Sequence, residues 1–135
     1  MSDTEDLEAL KERLAGLAGQ VAKEAFGIDL DYSVSSVRRV EEILAELHRD
    51  YAQTRDQEGL NGLALEFAAY VIKVIEKNFN PGVWRRNHRV YGDETFPYEW
   101  RGIDLFPYGW CLKRILDGPG DNMWTKFEGN VLTKA

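Results

Sequence analysis

The chain contains little cysteine and no long apolar segment, and both shortages limit what it can be. Cys111 is the single cysteine among 135 residues, so no disulfide can close within the chain and no zinc site can be built from cysteines. The longest apolar run, residues 63–75, is too short to cross a bilayer and is interrupted by Glu66 and Lys73. The N-terminus is acidic, whereas a signal peptide begins with basic residues. We therefore expect a cytoplasmic protein of bacterial type, without membrane contact.

Basic residues are also in the minority, and the shortage is concentrated in the first half of the chain. The net charge is -6; residues 1–60 carry 14 acidic and 7 basic residues, whereas residues 61–135 carry 9 and 10. An acidic surface repels phosphate groups and attracts cationic proteins. Nucleic-acid binding is therefore disfavoured, and a basic protein partner is favoured.

Hydrophobic spacing predicts three long helices within a single domain of residues 1–135. Apolar residues recur every three or four positions over residues 3–26, 34–54 and 58–78. The third segment is apolar on nearly all sides, which is typical of a helix at the centre of its domain.

The first predicted helix has a regular apolar face and an N-terminal capping signal. Ser2 and Glu5 have the spacing of a capping box. Gly16 and Gly19 weaken the helix by about 1 kcal/mol each, and glycine permits a close helix crossing. The expected buried face is Leu7, Leu10, Leu14, Leu17 and Val21.

From Gly82 the pattern changes to period two, which predicts a β-hairpin over residues 82–106. Trp84 and Val90 are expected in the core, with the arginines of the VWRRNHRV stretch facing water. A change of phase at Gly102 predicts a β-bulge.

Two short helices, over residues 107–117 and 121–128, complete the expected fold. We predict an α+β protein with three long helices and a β-hairpin or small antiparallel sheet packed on the central helix. The sheet is followed by one or two short C-terminal helices.

The segments LDYSVSSVRRVEEIL, AYVIKVIEKNFNPGVW and FP…KRILDG, in that order, resemble small bacterial domains of unknown function. Those domains read LDYS, a serine-capped helix, a buried AY helix ending before Gly and Trp, a hairpin, and FP…KR…G. The resemblance covers residues 30–133 and implies a fold, not an activity. The related domains often carry a Gly-Glu pair after the helix tyrosine, where this chain has Ile72 and Lys73.

Several residues are candidates for a site, although none is assigned a catalytic role. Arg86 and His88 lie in the basic stretch, and Glu66 and Tyr70 lie on the central helix, so a cleft between helix and hairpin would bring them together. Trp100 and Trp110 lie beside charged residues, as is typical of a protein-binding patch. Cys111 falls on an apolar helix face, which favours a packing role over a nucleophilic one.

Two classes of function fit this pattern. The first is a non-catalytic protein-interaction module, in one version an immunity-like protein that binds a basic toxin. The alternative is a small enzyme or ligand-binding protein that uses the cleft of Glu66, Tyr70, Arg86 and His88. We expect no cofactor and no metal, since no ligand motif is present; homo-oligomerisation is left open.

Overall fold

The structure is a computed structural model that describes the backbone of residues 3–135 and the side chains of residues 7–135. Five α-helices are present in it: α1 (Asp3–Phe26), α2 (Ser36–Thr54), α3 (Leu60–Asn78), α4 (Pro107–Asp117) and α5 (Met123–Asn130). Three short strands, β1 (Val83–Trp84), β2 (Tyr98–Trp100) and β3 (Ile103–Leu105), form an antiparallel sheet in that order. The predicted α+β fold class is confirmed.

Helix α3 is the centre of the molecule, and α1 and α4 pack along it. Its buried residues point in most directions around the helix axis: Leu60, Ala64, Phe67, Ala68, Ala69, Tyr70, Val71, Ile72, Val74 and Ile75. A helix that is apolar on most sides must be covered by several elements. The position of every other element follows from this requirement.

Helix α1 faces α3 through small side chains, which corrects the predicted leucine face. Leu17 is 39% exposed, and Leu10, Leu14 and Val21 are only half-buried. Fully buried positions are Leu7, Lys11, Ala15, Ala18 and Ala22. Because alanine side chains are small, they allow the backbones of α1 and α3 to approach closely. The crossing therefore depends on these alanines. It does not depend on Gly16 and Gly19, where an added Cβ would meet no atom within 4 Å. The Ser2–Glu5 capping box lies outside the described side chains.

A buried lysine fixes how α1 lies against α3. Lys11 is 2% exposed, and its ammonium donates to Glu76 of α3 and to Glu8, each at 2.7 Å. Burial acts to lower the pKa of Lys11, but the hydrogen bonds to the two carboxylates outweigh it and the pKa is raised. Lys11 therefore remains charged and acts as an ionic clamp inside the helix pair.

The sheet is attached at the C-terminal end of α3, where backbone and ring are in very close contact. The N–H of Gly82 donates to the Tyr98 hydroxyl at 2.6 Å. A Cβ at position 82 would lie 2.3 Å from the carbonyl oxygen of Glu99. Trp84 is fully buried as predicted, and its indole N–H donates to the carbonyl of Phe96 at 3.1 Å.

Within the predicted 82–106 hairpin, the first regular strand ends at Trp84. Residues 85–97 form a loop that contains a single β-bridge, His88 to Gly92. Val90, expected in the core, is 72% exposed. The reason is local. The His88 side chain accepts hydrogen bonds from the backbone N–H groups of Val90 and Tyr91, and these bonds bend the chain into a turn.

The predicted bulge at Gly102 is also wrong, because the chain reverses direction there. Arg101 and Gly102 both have positive φ, at 52° and 78°, and Trp100 pairs with Ile103 across them. Two consecutive positive φ values are typical of a two-residue hairpin turn. The change of apolar phase therefore marks the start of β3.

Helices α2, α4 and α5 meet at a buried ion pair that the apolar pattern did not reveal. Arg114 is 5% exposed, and its Nε lies 3.0 Å from both carboxylate oxygens of Glu41. The same carboxylate accepts the N–H of Met123 at 2.8 Å, at the first residue of α5. Glu41 therefore joins three helices through one side chain.

We expect Gly82→Ala to destabilise the protein by about 1–3 kcal/mol or more, because the Glu99 carbonyl is part of the sheet backbone and cannot move aside. Chemical denaturation measures the change. Gly16→Ala is the matched control: its Cβ meets nothing within 4 Å, so it should stabilise α1 by about 1 kcal/mol. Equal effects of the two substitutions would contradict the close contact at Gly82.

We expect Glu41→Ala to cost about 3–5 kcal/mol, because it leaves the Arg114 guanidinium buried without its carboxylate. Glu42→Ala is the control on the same helix, since the Glu42–Arg39 pair is exposed and should contribute less than about 1 kcal/mol. Urea unfolding of both variants tests the difference, and a loss at Glu41 as small as that at Glu42 would refute the role of the buried pair.

Candidate functional site

An open groove lined by aromatic rings lies near several of the predicted site residues. Its apolar lining is Tyr91, Phe106, Tyr108 and Trp110, and it encloses about 560 Å³. The remaining lining residues are Glu94, Thr95, Gly109, Lys113 and Lys126. We refer to this feature as the aromatic groove.

The start of α4 supplies two of the four rings, Tyr108 and Trp110, on a rigid element, and Phe106 immediately precedes this helix. Pro107 occupies the first turn of α4, where a missing N–H costs nothing. The Tyr108 hydroxyl accepts a hydrogen bond from Asn61 of α3 at 3.3 Å, and the Tyr108 ring meets the edge of Phe96 at 5.3 Å. Two neighbouring elements therefore hold Tyr108 in place.

The opposite wall depends on Tyr91, whose position is set by His88. The Nδ1 atom of His88 accepts the N–H groups of Val90 and Tyr91, at 3.0 and 3.1 Å. These bonds assign the proton to Nε2, which donates to Asp104 at 2.9 Å. With both ring nitrogens engaged in hydrogen bonds, His88 acts as a scaffold for the turn.

Ring contacts connect His88 to two of the rings that line the aromatic groove. The imidazole centroid lies 4.8 Å from that of Tyr91 and 5.6 Å from that of Phe106. Tyr91 and Phe106 meet edge to face at 5.5 Å. Tyr91 is 69% exposed, yet two ring contacts orient its side chain.

The backbone beside the groove is strained. Glu94 and Phe96 have positive φ, at 56° and 50°, a conformation that costs a side-chain-bearing residue about 1–3 kcal/mol. Hydrogen bonds hold it: the N–H of Glu94 donates to the Asn87 side chain at 2.9 Å, and that of Phe96 to the Arg86 carbonyl at 3.1 Å. Such strain is concentrated at ligand sites in proteins.

The structure divides the predicted site residues into separate groups. Arg86 and His88 lie near the groove, with the Arg86 guanidinium 5.6 Å from the centroid of the Phe96 ring. Trp110 lines the groove, but Trp100 is 1% exposed and donates its indole N–H to Asn80. The two tryptophans therefore do not form one patch.

Among the described residues, neither Glu66 nor Tyr70 makes a hydrogen bond or a ring contact to His88. The Tyr70 ring is buried and stacks on Tyr32 at 4.6 Å. Its hydroxyl accepts the Tyr32 N–H at 2.8 Å and lies 2.7 Å from the Ser36 hydroxyl. None of these partners contacts His88 through a hydrogen bond or a ring, among the residues described.

Glu66 is half-buried, and its Oε1 has no hydrogen-bond partner within the described part of the chain. Burial of the carboxyl raises its pKa.

Cys111, as predicted, is fully buried, and burial raises the pKa of its thiol.

Sequence reasoning did not assign Tyr91, Phe106, Tyr108 or Lys113 to a site. The FPYGW segment at residues 106–110 contributes three of the four rings, so its dense aromatic content was the available signal. For Tyr91 there was no such signal, because its place depends on the His88 turn.

A second, acidic cleft lies between the end of α1 and α2 and encloses about 790 Å³. Its charged residues are Glu41, Glu42, Glu46, Arg49 and Asp50. Three of the carboxylates form ion pairs within the chain, with Arg114, Arg39 and Arg49 respectively. The cleft is therefore less negative than its sequence suggests.

Two further structural findings concern metals and membranes. Across residues 7–135, no three or more His, Cys, Asp or Glu side chains are grouped so that they could hold a metal ion. Within the described residues, the helices are too short or too polar to traverse a bilayer.

We expect Glu66→Gln to stabilise the protein at neutral pH, because the folded state must desolvate the carboxylate. The folded pKa of Glu66 lies above its ordinary value of 4.5, so the penalty is fully present above the folded pKa and disappears below the unfolded one. The difference in unfolding free energy between variant and wild type should narrow as the pH falls. Glu128→Gln, at an exposed position of α5, is the control; identical pH profiles for the two variants would count against the buried carboxyl.

Comparison of the chain with protein-family models, with curated proteins and with solved structures found no match in any of the three.

Proposed function

We propose that the chain is a one-domain, non-catalytic protein-interaction module whose binding face is the aromatic groove. The observation that carries the proposal is an exposed groove in which four aromatic rings are held open by ordered elements. We further propose a cytoplasmic location, which the single, buried thiol of Cys111 supports.

The groove has the composition of a binding hot spot. Tyrosine and tryptophan supply most of the binding energy at protein interfaces, because they bury a large area and lose little conformational entropy. Tyr91, Tyr108 and Trp110 provide these rings here. A volume of about 560 Å³ accommodates one or two large side chains of a partner.

Pre-organisation supports the same conclusion. The His88 turn, the Tyr108–Asn61 hydrogen bond and the hydrogen-bonded 94–96 segment fix the walls of the groove within the chain itself. A partner that binds an ordered groove loses less free energy to ordering than one that binds a flexible surface. The positive φ values of Glu94 and Phe96 lower the stability of the fold, and such strain is concentrated at functional surfaces.

The reactive side chains of the chain have structural roles, which supports binding over catalysis. Both nitrogens of His88 are engaged in hydrogen bonds, and the Cys111 thiol is buried with a raised pKa. Burial raises the pKa of the Glu66 carboxyl, and among the described residues Glu66 has no hydrogen bond or ring contact to His88.

The acidic cleft on α2 is the second candidate face, for a basic partner of the immunity-like type. The volume of the acidic cleft favours it as a binding face. Asp50 lines this cleft, and no cation among the described side chains lies within 4 Å of its carboxylate. Its internal ion pairs weaken its attraction for cations, so we rank it after the aromatic groove.

Selection from a library of random linear peptides tests the proposal. Peptides that bind the wild type should bind Tyr91→Ala at least roughly tenfold more weakly, since the substitution removes an aromatic anchor. Val90→Ala is the matched control, because Val90 is as exposed as Tyr91 but does not line the groove. Fluorescence titration measures both affinities. Failure to select any peptide, or equal binding by both variants, would refute the groove as the binding face.

A further inference from the structure

We propose that the aromatic groove binds a second copy of this chain, in a two-fold symmetric dimer in which the two grooves face each other. This inference rests on the proposed function and names the partner that the groove takes.

The two walls of the aromatic groove carry opposite charges. One wall is the 91–95 segment, which carries Glu94, and the other is α4, which carries Lys113. Both side chains are exposed, and neither has an oppositely charged group within 4 Å among the described side chains. Lys126, the remaining charged lining residue, is matched by Asp121 at 2.8 Å. The groove therefore has one acidic rim, at Glu94, and one basic rim, at Lys113.

Such a pair of rims fits a copy of itself. A strongly acidic or strongly basic partner would meet one rim of its own sign, which costs binding energy. In a two-fold interface, each contact of one residue with another is repeated in reverse. A two-fold axis that runs along the groove places the acidic rim of each copy over the basic rim of the other. Glu94 of each copy then lies against Lys113 of the second copy, and the dimer gains two ion pairs.

An exposed apolar turn lies beside the acidic rim. Val90 and Tyr91, within the turn closed by the His88–Gly92 bridge, are 72% and 69% exposed, the highest values among the large hydrophobic side chains that the structure describes. With the rings of the groove they form an apolar patch of the kind that marks protein interaction sites. Under the same axis, this turn lies over the α4 wall of the second copy, where Trp110 lines the groove. The dimer thus removes the turn and the opposing ring from water together.

The charge distribution of the chain favours the same face. Each copy has a net charge of -6, so two copies repel each other unless they meet through their less acidic parts. Residues 1–60 carry 14 acidic and 7 basic residues, whereas residues 61–135 carry 9 and 10. The lining of the groove comes from residues 91–126, which belong to the second part. Repulsion between two copies is therefore smaller here than at the acidic helices α1 and α2.

Sedimentation equilibrium of the full chain tests the inference, and the wild type should dimerise at micromolar concentrations. Lys113→Glu and Glu94→Lys each place like charges against each other at both rims, so each should weaken the dimer at least roughly tenfold. Glu94→Lys is the more telling of the two, because it lowers the net negative charge and would otherwise favour association. Lys23→Glu and Glu24→Lys make the same charge changes at exposed positions of α1 and should leave the dimer unchanged.

An equimolar mixture of Lys113→Glu and Glu94→Lys adds a result that misfolding cannot imitate. In a mixed dimer one copy has two carboxylates at its rims and the other has two ammonium groups, so both rim contacts become attractive again. The mixture should therefore dimerise as tightly as the wild type, although each variant alone does not. A mixture of Lys23→Glu and Glu24→Lys has the same net charges and should behave no differently from its components.

The possible results separate this inference from the proposed function. A wild type that remains monomeric, a dimer that neither rim variant weakens, or a mixture of rim variants that fails to associate would each overturn the second copy as the occupant. A library peptide that binds the groove yet leaves the dimer intact would do so as well, while keeping the groove as the binding face. If Tyr91→Ala weakens neither the selected peptides nor the dimer, the groove itself is refuted.

Discussion

The central helix α3 is apolar on nearly every side, and the need to keep water from it organises the molecule. Helix α1 covers one side through alanines, and the Lys11 clamp fixes its position. Helix α4 covers another side, while the sheet closes the C-terminal end through the contact of Gly82 with Tyr98. Since burial of apolar area is the main stabilising term in folding, these contacts have priority over the preferences of each segment.

The aromatic groove is a consequence of how that cover is built. Helix α4 turns Cys111, Arg114 and Ile115 inward, which leaves Trp110 and Lys113 toward the surface. Residues 85–97 form no regular strand, and the side chains of His88 and Asn87 order this loop by accepting hydrogen bonds from the backbone N–H groups of Tyr91 and Glu94. Binding residues are commonly held in this way, on loops that a rigid scaffold supports.

Charges in this protein are organised mainly by pairing within the chain. Glu41 neutralises Arg114 in the interior, and Glu46 and Glu42 pair with arginines along α2. Buried pairs of this kind contribute little net stability but are costly to break. The acidic half of the sequence thus exerts a weaker external field than its count of carboxylates suggests.

The sequence by itself determined the three long helices, the central position of α3, the burial of Trp84 and Cys111, and the α+β class. These features depend on periodicity and composition, which are local properties of the chain. Tertiary structure alone decided that Leu17 and Val90 are exposed, that Arg114 is buried, and that Tyr91 meets Phe106 in a groove. Each of these depends on partners distant in the chain or on a side chain that bends the backbone, and residue spacing carries no record of either.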